Sequence, residues 1–295
     1  MGEKMDKLDF KNPSYNRETG KASWSMLYFG SYPQTEVKDN ELIPGIIEAG
    51  YNQDGDAIAD GIKYRRIKQN GVFRYFRWDK IQWRVLWNDG KTLFVISDKG
   101  LDCKVYDNTN NFVIWEQSSL RGWLAGSFYN MAFDSREQEA ILMHETETSY
   151  ICNGENITDR TNDKIYLLSI KELRTSHYGF WDEKVYWEHT IDKKINRRMR
   201  PTSYAQACGV WVYKHDSNKK WYVAKPDSSR EGCCCWWTRS PCADTRYGTK
   251  MKNTKVTESG AIDKFDYGHI LHRSGNAVAV VPVMHLDLER LTDIL

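Results

Sequence analysis

Apolar and polar residues alternate with period two at Ile81-Gln82-Trp83-Arg84-Val85-Leu86-Trp87. Ile81, Trp83, Val85 and Trp87 therefore fall on one face of a strand and Gln82, Arg84 and Leu86 on the other. The turn-forming run Asn88-Asp89-Gly90 follows, and the apolar run LFVIS occupies 93–97. Residues 81–97 thus read as a β-hairpin. A separate strand-like run, VFRYFRW, lies just upstream at 72–78. MLYFGSYPQTEV at 26–37 alternates as a short strand. Pro33 places that strand at an edge or an end, because proline has no N–H to give a ladder.

The pattern then changes period. Leu120, Trp123, Leu124, Phe128 and Met131 recur at the spacing of one buried helical face. Asp134 with Glu137 has the form of an N-cap and its return partner, opening a second helix through Leu142. The same logic recurs at Ser169 and Glu172 after IYLLS, and at Ser203 and Gln206 between Pro201 and Gly209. These short helices separate β segments without regular βαβ alternation, which argues for an α+β class. The expected organisation is a polar N-terminal arm over 1–23 and a single domain over 24–295. Residues 214–232, the most loop-like interior stretch, are expected to be a surface insertion.

Two local motifs have mundane readings. NQDGDAIADG offers Asn52, Asp54, Asp56 and Asp60 in a spacing that mimics a calcium loop. Ala57 stands where such a loop needs glycine, and Lys63 where it needs glutamate, so an Asp-Gly turn explains the segment better. KKINRRMR at 193–200 holds five basic residues in eight. It reads as a solvated helix entry balanced by Glu183, Glu188 and Asp192 rather than as a phosphate contact.

Composition narrows the partner classes. The 295-residue chain is 40% hydrophobic and 28% charged with a formal net charge of +2, values of a globular protein with no bias toward nucleic acid. No apolar run reaches the roughly 20 residues that span a bilayer. The first residues are polar and do not form a secretory signal, so a cytoplasmic location is expected. Seven cysteines, three of them adjacent at Cys233–Cys235, do not form a disulfide framework and read as reduced thiols. Twelve tryptophans and seventeen tyrosines are the compositional excess, and most sit inside apolar patterns as core anchors.

The most distinctive stretches are CCCWWTRSPCADTRYG at 233–248 and the closing strand VVPVMHLDL at 280–288. Together they resemble the terminal signature of a bacterial family of unknown function, the DUF6273-type domain. YFGSYPQ, IQWRVLW, LFVISDKGLDCKVYD, WEQSSLRGWLAGSFYNMAF, the helix from Glu137 to Leu142, DKIYLLSIKEL and RPTSYAQACG occur in that family's order. The resemblance covers roughly 26–288. It departs from the pattern where Cys242-Ala243-Asp244 replaces a small-residue turn.

The resemblance implies a C-type-lectin-like, formylglycine-generating-enzyme-like fold: a small twisted sheet with short helices and long loops. It also implies that the loops before the last strand form the recognition surface. In this chain that surface would comprise Arg246, Tyr247, Tyr267, His269, His272 and Arg273, binding a protein or glycan without catalysis, metal or cofactor. The enzymatic alternative is a formylglycine-type thiol/copper oxidase using Cys235 and Cys242, although CWWTRSPC does not reproduce that enzyme's cysteine motif. Glu145 and Glu147 beside His144 read as a solvated acidic patch just past a helix.

Overall fold

The computed structural model describes residues 9–109, 112–152, 155–181, 196–214, 228–244, 250–263 and 277–295. Phe10 packs on the main core, and β1 (Ser14–Tyr15) pairs with β2 (Ala22–Ser23). Asn12 and Asn88 tie this segment to the sheet. The Asn12 amide donates to Asn88 O at 3.0 Å, and the Asn88 N–H donates to Asn12 Oδ1 at 2.6 Å.

Next come β3 (Met26–Glu36), α1 (Leu42–Glu48), β4 (Asp56–Ala59), β5 (Ile62–Gln69), β6 (Val72–Asn88) and β7 (Thr92–Ser97). β6 is one strand of 17 residues, where the hydrophobic pattern suggested two runs. Asp79 and Lys80 interrupt the apolar pattern but not the ladder, because β3 pairs with them through Tyr32 and Ser31. β3 lies along one side of β6, while β5 and β7 divide the other. The expected hairpin over 81–97 is present with one change. The β6–β7 register shifts between Val85 and Trp87, so Leu86 turns inward and Trp87 outward with 40% exposure. A bulge inverts the alternation beyond it.

The calcium-like segment is a pair of turns. Asn52 Oδ1 accepts the Asp54 and Asp56 N–H groups at 3.0 and 2.9 Å. The Asp56 carboxylate is held by Arg65 at 2.5 and 2.8 Å and by Lys63 at 3.2 Å. Asp60-Gly61, both at positive φ, closes the β4–β5 hairpin.

After β8 (Asp102–Lys104), a continuous helical stretch runs through α2 (Ser119–Trp123), a π-helical turn (Leu124–Phe128) and α3 (Tyr129–Ala132). It buries Leu120, Leu124 and Phe128 as its spacing requires. α4 (Ser135–Ala140) opens on the expected reciprocal cap of Asp134 and Glu137. The Glu137 carboxylate also accepts from Gly30 N–H at 3.1 Å and Lys80 Nζ at 2.9 Å, fixing the helix to the sheet. Gly30 is required there: its φ is +66°, and a Cβ would come within 2.5 Å of the Phe133 ring. α4 stops short of Leu142, because Ile141–Leu142 is drawn into the sheet as β9.

β10 (His144–Cys152) and β11 (Glu155–Asp163) form an antiparallel hairpin, so His144 opens a strand rather than a solvated helix terminus. β12 (Ile165–Tyr166) follows. Ser169 and Glu172 make the anticipated reciprocal bonds, but over a single 3₁₀ turn, Glu172–Arg174. α5 (Ser203–Ala207) is capped by Thr202 rather than Ser203, with Thr202 Oγ1 accepting the Ala205 N–H at 3.0 Å. The described end of the basic run is extended rather than a solvated helix entry. Arg197 is 1% exposed, donating to Trp181 O at 2.7 Å, Gly260 O at 3.1 Å and Leu173 O at 3.2 Å. Of the expected insertion at 214–232, residues 215–227 lie outside the described set.

The chain closes with β13 (Trp236–Asp244), β14 (Lys250–Val256), β15 (Ile262–Asp263), β16 (Val278–Val280), β17 (Val283–Asp287) and α6 (Leu288–Thr292). An eight-stranded sheet has the order β12-β17-β7-β6-β5-β4, with β3 added on β6 and β9 on β17. A five-stranded sheet has the order β15-β14-β13-β16-β8. Only the β13–β16 contact among these pairings is parallel. Mostly antiparallel sheets with short helices set apart from them make the class α+β, as expected. No helix among the described residues is long and apolar enough to cross a membrane.

Candidate functional site

Arg246 and Tyr247 fall between β13 and β14, and Tyr267, His269, His272 and Arg273 between β15 and β16. All six lie outside the described residues. The strands that root these two segments are described. Asp244 pairs with Lys250 at one end of the β13–β14 hairpin. At the other end Asp263 pairs with Lys255, and Ala279 pairs with Trp236. The roots are therefore separated along β14 by five residues, about 17 Å of strand.

Beneath both roots is a buried frame built from the Trp-Trp-Thr-Arg-Ser-Pro motif. Trp237 is fully buried, donates from Nε1 to Lys104 O at 2.9 Å and meets the Tyr106 ring edge-on at 5.3 Å. Trp236 donates to Arg197 O at 3.2 Å. The register of β13 against β14 shifts between Trp237 and Pro241, and Arg239 sits within that irregularity. Its guanidinium donates to Leu167 O at 2.6 Å, the Glu172 carboxylate at 2.5 Å, Thr148 Oγ1 at 3.0 Å and Glu147 O at 3.1 Å. One side chain thus ties β13 to β10 and to the segment after β12.

The described thiols near this motif are buried or half-buried. Cys235 immediately precedes β13 and Cys242 is seven residues farther along extended chain. Residues 236 and 242 pair with positions four residues apart on β14, so the Cα atoms of Cys235 and Cys242 are on the order of 15 Å apart, against the roughly 7 Å limit for bridging sulfurs. Cys233 and Cys234 are buried, and Cys234 donates weakly to Met199 O at 3.5 Å. Cys235 lies 3.5 Å from Glu258 Oε2, and burial together with that carboxylate pushes its thiol up to about 12. Burial, with Asp102 nearby, likewise raises Cys103 to about 12 and Cys208 to about 11. Nucleophilic and metal-binding cysteines need the opposite shift. Among the described residues no three His, Cys, Asp or Glu side chains are grouped to hold a metal ion.

Two clusters of perturbed groups escaped the sequence reasoning. In the first, Tyr32 Oη donates to Asp102 Oδ2 at 2.5 Å, Cys103 N–H donates to Oδ1 at 2.6 Å, and Lys104 Nζ lies 3.6 Å away. Burial raises the Asp102 carboxyl and, with Asp102 itself, the Tyr32 phenol. The Tyr204 ring of α5 meets Tyr32 edge-on at 5.9 Å. Three of the sequence blocks that carry the resemblance, YFGSYPQ, LFVISDKGLDCKVYD and RPTSYAQACG, meet here. Tyr32, Asp102 and Tyr204 are buried and join β3, β8 and α5, while Lys104 reaches solvent.

In the second, the His285 ring is stacked between Phe94 at 4.5 Å and His144 at 3.9 Å, with Tyr166 Oη 2.9 Å from its Nε2. Burial, then His144, drives the His285 imidazole down to about 3. The only advance signal was position: His144 and His285 stood in polar and apolar runs whose pairing is non-local.

The architecture defines an α+β protein whose last strands are pinned by buried tryptophan and arginine side chains. The chain matches, over residues 90–288, the model of a family described as a domain of unknown function (DUF6273), and it belongs to that family. Neither a curated protein nor a solved structure matches it.

Proposed function

We propose that this chain is a non-catalytic recognition module of C-type-lectin-like architecture, a single cytoplasmic domain over 24–295 that needs no cofactor. It binds a protein or glycan through the segments between β13 and β14 and between β15 and β16, using Arg246, Tyr247, Tyr267, His269, His272 and Arg273. The observation that carries this reading is the frame under those segments, where Trp236, Trp237 and Arg239 are buried with their polar atoms bonded. Loops on a fixed scaffold are a common place for recognition. A scaffold that holds their ends still also lowers the ordering cost of binding. The net charge of +2 favours a protein or glycan over nucleic acid. The oxidase alternative loses support from the separation of Cys235 and Cys242 along β13 and from the raised thiol at Cys235.

A glycan array and a lysate pull-down, each comparing wild type with a Tyr247→Ala/Arg273→Ala double variant, test the reading. Removing two anchors of an interface weakens binding by at least about thirtyfold. A ligand retained at full affinity by the folded double variant removes this surface from the proposal.

A further inference from the structure

A cavity of about 280 Å³ opens between β3, β6, the turn after β7 and the start of α5. It lies entirely within described residues and shares no residue with the segments proposed above. Its wall carries one aromatic face: Tyr28, 56% exposed on the edge strand β3. Tyr28 is held in place, because Gln82 Nε2 donates to its hydroxyl at 3.0 Å. An exposed ring fixed by a hydrogen bond offers apolar area with little entropy left to lose.

The polar groups around that ring are unevenly spent. Gln34 Nε2 uses both hydrogens on Asp79 O at 2.9 Å and Lys80 O at 3.1 Å, which leaves its carbonyl oxygen to accept. Gln82 spends an amide hydrogen on Tyr28 and likewise retains its oxygen. Thr35 and Ser203 also place hydroxyls on the wall. The wall's charges are mostly matched internally. Asp98 takes Arg84 Nε at 2.6 Å, Asp79 takes Arg77 Nε at 2.6 Å, and Lys80 reaches Glu137 at 2.9 Å. Lys99 stands exposed at the rim, where an ammonium keeps its water.

What remains is a chemical description of a ligand. It should be neutral, because Asp79, Lys80 and Asp98 are each paired with a side chain and Lys99 stands in solvent at the rim. It must carry several hydroxyls, to answer two amide oxygens and two hydroxyl groups. It must present one C–H face to an aromatic ring. It must also be small, since ligand cavities begin at roughly 300 Å³. We propose that this cavity binds a single neutral sugar ring, with Tyr28 as the stacking platform and Gln34 and Gln82 as acceptors for ring hydroxyls.

The test is isothermal titration of the full chain with glucose, galactose, mannose and N-acetylglucosamine, with glucose 6-phosphate as the anionic arm. At least one neutral sugar should bind saturably at millimolar concentration, and Tyr28→Ala and Gln34→Leu should each weaken it about tenfold or more. Tyr28 is exposed, so its variant should fold; an unchanged melting temperature checks both variants. The Tyr247→Ala/Arg273→Ala variant should bind the same sugar normally, which separates this proposal from the one above. Three outcomes overturn it: no neutral sugar binds, both cavity variants bind as wild type, or glucose 6-phosphate binds about tenfold tighter than every neutral sugar.

Discussion

Replacing Arg239 with methionine isolates the energetic role of the frame. Methionine approximates the volume of the aliphatic stem but makes none of the four hydrogen bonds that tie β13 to Thr148, Leu167, Glu147 and Glu172. Two backbone carbonyls and a hydroxyl then remain inside, each costing about 1–3 kcal/mol if no water reaches it. Glu172 is 19% exposed and keeps its bonds to Ser169, so its carboxylate is partly relieved by solvent. Breaking a buried ion pair by removing one partner costs about 3–5 kcal/mol, and the exposure of Glu172 points to the lower half of that range. With unfolding entropy near 2.1 cal/mol/K per residue over 295 residues, a loss of about 4 kcal/mol lowers the melting temperature by roughly 6 °C. Arg239→Lys should recover little, since one ammonium cannot span the four acceptors that the planar guanidinium reaches. Differential scanning calorimetry of wild type and both variants at neutral pH measures this. An Arg239→Met protein that melts with wild type would refute the structural role of the motif, and lysine performing as well as arginine would refute the fork argument.

Two further outcomes follow from the same structure. His285 is held neutral in the fold, with its imidazole lowered to about 3 by burial and by His144, whereas in the unfolded chain it titrates near 6.5. Its contribution is therefore fully present above about pH 6.5 and is lost as pH falls from there toward 3, at up to about 1.4 kcal/mol per pH unit. Urea midpoints between pH 7 and 4 should fall less steeply for His285→Gln than for wild type, and identical slopes would contradict the assignment. Limited proteolysis should cut first within 1–23 or 214–232 and leave the rest associated; early release of two separately folded halves would count against a single domain.

Where the sequence pattern was a reliable guide, one face of an element was dry. Residues 81–85 alternate cleanly because Ile81, Trp83 and Val85 all point into the main core. The pattern failed at Leu86 because both Leu86 and Trp87 are apolar, so nothing in their composition marks a bulge. It missed β10 and β11 for a different reason. Their inward positions are Thr146, Thr148 and Thr161, with the Thr146 and Thr161 hydroxyls 2.8 Å apart, so polar residues occupy the buried face and the alternation reads as surface. The cap at Asp134 and Glu137 was legible because it is local. The end of α4 was not, because the pull of β17 on Ile141 and Leu142 comes from the far end of the chain.

The same distinction between local and distant causes explains what could be read of function. Arg197 reads as one charge of a solvated run, since a lone sequence cannot show that carbonyls from Leu173, Trp181 and Gly260 converge on it. Cys235 and Cys242 are candidates only through the resemblance to a formylglycine-type oxidase, and β13 sets them apart by extending the chain between them. Tyr28, Gln34 and Gln82 drew no attention because each is an ordinary strand residue until β3 is laid beside β6. Those three also precede the matched family span, whereas Lys99, Thr202 and Ser203 on the same cavity fall inside it. The frame under the last strands is largely a property of residues 90–288, while the aromatic wall of the cavity is supplied by strands outside that span. A sequence carrying 90–288 without β3 and β6 would therefore keep Arg239 and its acceptors, but would lack Tyr28, Gln34 and Gln82 and with them the stacking face of this cavity.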